Sequence, residues 1–190
     1  MADLTRRAAL ALGALTVARV TTGRAFADAP KTAWDFSFTR IDESGPLDFA
    51  AFKGRVLVVA NTASFCMYTY QYEGLERLQA GLEGRGLTVI GVPSQDFGQE
   101  SDSNGKVKKF CDATFGVKFP MTTILHVVGP QAAPFYAWVK ATRGWEPKWN
   151  FNKVLIGRDG SIKGTFGATD EPQGTVLSQA IEAELARAAV

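Results

Sequence analysis

Apolar residues recur along the chain with two periods, and the switches between them outline a fold. Trp34 to Arg40 alternates Phe36 and Phe38 with polar positions, the pattern of a half-buried strand. Glu43-Ser44-Gly45-Pro46 reads as a turn, and Leu47 to Lys53 as a short helical turn. Arg55 to Ala60 is a Val-rich run without alternation, which predicts a strand covered on both faces. Tyr72, Leu75, Leu78 and Leu82 then follow at helical spacing, closed by Gly84 and Gly86, before a second buried strand from Leu87 to Val92. Strand, helix and strand make a β–α–β unit.

Beyond a polar loop (Pro93 to Gly105), Lys106 to Thr114 predicts a helix with Val107, Phe110 and Cys111 on one face. Met121 to Val128 reads as a strand, and Phe135 to Thr142 as a short helix. Phe151 to Ile156 and Ser161 to Phe166 flank Gly157-Arg158-Asp159-Gly160, a hairpin signal. Leu177, Ile181 and Leu185 mark a closing helix from Thr175 to Ala189. The pattern is that of an α/β sheet flanked by helices. At 190 residues, with 46% hydrophobic and 21% charged positions, the chain suits one soluble domain.

The first 27 residues stand apart from this pattern. Arg6 and Arg7 precede the Ala/Leu-rich stretch Ala8 to Ala18, which is too short to span a bilayer. Ala25-Phe26-Ala27 offers small residues where a signal peptidase reads, with Asp28 as the expected mature start. This resembles a twin-arginine export signal and implies a periplasmic protein, an expectation that N-terminal sequencing of exported material checks. It leaves residues 28–190 as the domain. The leader carries a net +3 of the formal +2, so the remainder is near neutral at −1. Such a domain has no electrostatic reason to bind nucleic acid or an anionic membrane.

Two cysteines, Cys66 and Cys111, lie 45 positions apart, so there is no Cys-x-x-Cys pair. With His126 the single histidine, a zinc site lacks ligands. Cys66 ends an apolar run, within Asn61-Thr62-Ala63-Ser64-Phe65-Cys66-Met67-Tyr68-Thr69, and Gln71-Tyr72-Glu73-Gly74-Leu75 follows. Far downstream stands Trp149-Asn150-Phe151-Asn152-Lys153. The first segment resembles the Asn-x-Ala-Ser-x-Cys-Gly-x-Thr site of the glutathione peroxidase family, and the second its Trp-Asn-Phe-x-Lys signature. The resemblance runs from about Trp34 to Leu185. It implies a thioredoxin-like fold, with Cys66 at the loop entering the first long helix. It also implies a thiol peroxidase without cofactor, acting on hydrogen peroxide or organic hydroperoxides.

A thiol attacks peroxide as its thiolate, and a free cysteine near pKa 8.5 is mostly protonated at neutral pH. The helix after Cys66 favours the anion through its N-terminal N–H groups. In the resembled family a Gln, a Trp and an Asn attend the reactive cysteine. Trp149 and Asn150 fall on two of these, whereas the loop carrying the Gln reads Val92-Pro93-Ser94-Gln95-Asp96-Phe97-Gly98. Asp96 therefore occupies the Gln position, with Gln95 before it, and either Gln95 takes over the Gln's role or Asp96 acts through a bridging water. An ionised Asp accepts hydrogen bonds, and its charge raises a nearby thiol pKa. Met67 is a second departure, standing where the family has Gly.

Cys111 matches the place of a resolving cysteine in many cysteine members, which implies a Cys66–Cys111 disulfide reduced by a thioredoxin-like protein or by glutathione. A small core residue is the competing reading of Cys111. The 21 positions from Val128 to Trp149 lack the insertion of the family's tetrameric members, implying a monomer. Two other functions compete with the peroxidase: a periplasmic thiol–disulfide oxidoreductase, and a non-catalytic binding domain held by a disulfide.

Overall fold

The computed structural model describes residues 32–188; residues 1–31, which include the expected leader, and the last two positions lie outside them. A mixed four-stranded sheet forms the centre, in the order β4-β3-β5-β6. β3 (Val56–Thr62) runs parallel to β4 (Leu87–Pro93), with α1 (Gln71–Leu82) between them in sequence. β5 (Lys153–Ile156) pairs antiparallel with β3, and β6 (Ile162–Phe166) antiparallel with β5. Every residue of β3 and β4 is buried, as a Val-rich run without alternation requires.

Successive side chains of β3 enter opposite layers. Val56, Val58 and Ala60 join a core with Tyr72, Leu75 and Leu78 of α1, Val107 and Cys111 of α2 (Asn104–Phe115), and Leu177 and Ile181 of α4 (Thr175–Leu185). Leu57 and Val59 face a second core with Phe135 and Val139 of α3 (Pro134–Arg143). That layer is completed by Phe38 and Leu47 from the ribbon of β1 (Ser37–Thr39) and β2 (Pro46–Asp48), and by Phe49. The hairpin at Gly157–Gly160 forms as expected. Gly160 adopts φ +77 and its N–H bonds Gly157 O at 2.9 Å, a conformation that favours glycine. No helix among the described residues is long and apolar enough to cross a membrane.

Three expectations are corrected. Trp34 belongs to a 3₁₀ turn (Ala33–Asp35), and the strand is confined to Ser37–Thr39. Leu47 lies in β2, and only Phe49–Phe52 makes a helical turn, of 3₁₀ type. The strand expected over 121–128 reduces to single bridges, Met121 with Gly91 and Thr122 with Arg40. Beyond them the amides take other acceptors: Ile124 N–H donates to Asn104 Oδ1 (2.8 Å), Leu125 N–H to Pro93 O (2.9 Å), and Val127 and Val128 N–H to Asp96 Oδ2 (2.5 and 3.1 Å). Side-chain acceptors take three of these four amides in place of a strand ladder. His126, placed by sequence in an apolar strand, has a side chain 54% exposed in this irregular stretch.

Candidate active site

Cys66 sits in the turn between β3 and α1, which a small hydrogen-bond circuit shapes. The Cys66 N–H donates to Thr69 Oγ1 (3.0 Å), and that hydroxyl donates to Ala63 O (2.9 Å). Thr69 N–H donates back to Cys66 O (3.0 Å). The turn aims the Tyr68 N–H at the thiol, 3.4 Å from Sγ. A backbone donor thus meets the sulfur before α1 begins. Cys66 is a free cysteine, and the residue is only 7% exposed. Its chain neighbours differ sharply, with Phe65 67% and Met67 78% exposed.

Asn61, at the end of β3, joins this turn to the Trp149–Asn152 segment. Its Nδ2 donates to Trp149 O (3.0 Å), its Oδ1 accepts from Asn152 N–H (3.1 Å), and its carbonyl from Phe151 N–H (2.6 Å). Phe151 holds φ +58, a left-handed residue fixed by these bonds. The Trp149 ring lies on Phe97, centroids 5.5 Å apart, and its indole N–H makes no hydrogen bond among the described residues. Asn150 is fully buried and its Nδ2 donates to Gln99 Oε1 (2.9 Å).

The loop after β4 closes the third side. Gln99 O accepts from Phe65 N–H (2.9 Å), and Glu100 Oε1 from Ser64 N–H (3.1 Å). Gln95 spends its amide on the loop itself, Nε2 donating to Glu100 O (2.6 Å) and Ser101 O (2.7 Å). Asp96 turns to the 126–128 stretch, where Oδ1 lies 2.6 Å from His126 Nδ1. An ionised carboxylate only accepts, so that nitrogen carries the proton. Burial pushes the Asp96 carboxyl up, but His126 and the Val127 and Val128 amides outweigh it and hold the group below its ordinary value. Neither Gln95 nor Asp96 hydrogen-bonds Cys66.

Cys111 is fully buried on α2, in the same core as Cys66. Burial pushes its thiol up to about 12, and the charges of Glu100 and Asp112 add to the rise. Nearby, the Thr62 and Tyr72 hydroxyls and Glu100 Oε2 are buried without a hydrogen-bond partner. Burial likewise raises the Glu100 carboxyl.

Three segments remote in sequence therefore meet at the turn that carries Cys66, at the end of a strand parallel to its neighbour. The glutathione peroxidase family model matches residues 33–140, more than half of the chain. The chain belongs to the glutathione peroxidase family. It is a thiol-dependent peroxidase with a thioredoxin-like fold. Among its relatives, a Synechocystis protein named hydroperoxy fatty acid reductase gpx1 is 38% identical over 157 residues, covering 77% of this chain and 92% of the relative. A glutathione peroxidase-like peroxiredoxin, gpx1 of Schizosaccharomyces pombe, is 36% identical over 136 residues, 69% of this chain and 86% of its own. The crystal structure titled Trgpx in apo form superposes with a TM-score of 0.67 at 29% identity, over 85% of this chain and 100% of that one.

Within this family site, sequence reasoning missed Gln99 and Glu100, which strap the amides of residues 64 and 65. The available signal was a Gln-Glu pair closing the same loop as Gln95 and Asp96.

Proposed function

We propose that this peroxidase reduces hydroperoxides with an apolar body, through Cys66 as the attacking thiolate and Cys111 as the resolving thiol. The carrying observation is a contrast along the turn: a buried cysteine between two widely exposed apolar residues, Phe65 and Met67. Those residues offer an alkyl chain a surface to lie on, while the sulfur meets only the peroxide end. The name of the Synechocystis relative, a hydroperoxy fatty acid reductase, supports the same substrate class.

The chemistry balances in two steps. The thiolate attacks the distal peroxide oxygen, the O–O bond breaks, and the departing alkoxide takes a proton to become an alcohol, leaving Cys66 as a sulfenic acid. The Cys111 thiol then displaces water from that sulfenic acid and forms the Cys66–Cys111 disulfide, which a dithiol protein of thioredoxin type reduces by exchange. The single polypeptide suffices for both steps, and we take the enzyme to act as an exported monomer.

The ratio of the rate with a long-chain fatty acid hydroperoxide to that with hydrogen peroxide tests the substrate class. Replacing Phe65 and Met67 together by Ser lowers this ratio about tenfold, equivalent to about 1.4 kcal/mol of apolar contact. A ratio unchanged in the double variant contradicts the assignment.

A further inference from the structure

The loop after β4 presents three side chains that bear on an amide donor for the reacting oxygen, and the geometry eliminates two. Asp96 is an anion that can only accept, and its oxygens are taken by His126, Val127 and Val128. Gln95 has donated to Glu100 O and Ser101 O, bonds that hold the loop closed. Gln99 differs from both. Its backbone carbonyl binds the amide of Phe65, the residue before the thiol, and its side chain binds the buried Asn150. It bridges the two halves of the site.

Gln99 and Asn150 share one amide–amide hydrogen bond, and this fixes what the pair can still offer. With Asn150 Nδ2 donating to Gln99 Oε1, the Gln99 NH2 has no acceptor among the described residues, and Asn150 Oδ1 is buried without a partner. Turning both amides over would satisfy Asn150 Oδ1 and free the Asn150 NH2 instead. Either way the pair retains one NH2 group without a protein acceptor. Free amide donors aimed where negative charge develops are the groups that stabilise a leaving oxyanion.

We infer that Gln99 is a positioning residue of the peroxidase, pairing with Asn150 so that one amide NH2 faces the thiolate and the departing oxygen, the duty that Asp96 at the family's Gln position cannot perform. This rests on the assignment of Cys66 as the attacking thiol. A carboxylate at position 99 discriminates donor from mere tether. Gln99→Glu still accepts from Asn150 Nδ2 and keeps the backbone bond to Phe65, but the pair then has no free NH2 and gains a charge.

The test combines stopped-flow oxidation of the reduced protein by hydrogen peroxide with the pH midpoint of Cys66 alkylation by iodoacetamide, the site being assigned by mass spectrometry. Wild type, Gln99→Glu, Gln99→Met and Cys66→Ser are compared. Gln99→Glu is expected to lose roughly a hundredfold in peroxide rate and to raise the alkylation midpoint. Gln99→Met loses rate as well. If Gln99→Glu stays within about threefold of wild type with an unmoved midpoint, whatever Gln99→Met does, Gln99 is a tether and the inference fails. If Cys66→Ser consumes peroxide like wild type, the underlying assignment of the thiol fails instead.

Discussion

The sulfur of Cys66 meets a backbone N–H from Tyr68 because Thr69 ties the turn to both Cys66 N–H and Ala63 O. That local circuit thus brings an N–H donor to the sulfur ahead of the first turn of α1. Short strings marked Cys66, Trp149 and Asn150 in the sequence, but neither Trp149 nor Asn150 hydrogen-bonds the Cys66 sulfur, which takes its donor from Tyr68 N–H while Asn150 bonds Gln99. The fates of Gln95 and Asp96 were not legible there, since both depend on a loop conformation that local spacing does not encode. Asp96 clamps the 126–128 stretch, and its side chain is only 9% exposed. With its folded pKa depressed, it adds stability at pH above the unfolded value near 3.9 and loses it as pH falls through the folded value. Asp96→Asn is therefore expected to lower unfolding free energy by about 1–3 kcal/mol at pH 7 in urea titrations, with the gap to wild type narrowing toward pH 3. A gap independent of pH contradicts the clamp.

Among the elements, α2 carries the greatest demand. Val107 and Cys111 form its buried face, and a thiol pushed up to about 12 is inert while the helix is docked. The proposed resolving role therefore requires α2 to open locally, an event that costs less than global unfolding. The sequence showed the helix and its inward face but could not separate a resolving thiol from a core residue, because burial serves both. Cys111→Ser is expected to leave the Cys66 sulfenic acid open to dimedone labelling after a peroxide pulse, whereas wild type forms an internal disulfide and labels weakly. Equal labelling of the two proteins would make Cys111 a packing residue. The strand expected over 121–128 failed for a different reason: acceptors on Asp96 and Asn104 competed successfully for its amides.

At the scale of the molecule, the sheet order follows from features already present in the chain. Two Val-rich runs require cover on both faces, and α1, α2 and α4 supply one layer while α3 and the β1–β2 ribbon supply the other. The end of β3 thereby delivers Cys66 to a rim where the loop after β4 and the segment before β5 arrive from either side. Asn61 and Gln99 fasten those arrivals, and neither bond is local in sequence. The central claim is that this convergence makes Cys66 a peroxide-reactive thiol. Its most direct measurement is the stoichiometry of hydrogen peroxide consumed by fully reduced protein without added reductant. Consumption of about one equivalent, with oxidation mapped to Cys66 and abolished by Cys66→Ser, is the predicted result. Consumption absent in wild type, or retained in Cys66→Ser, would contradict it.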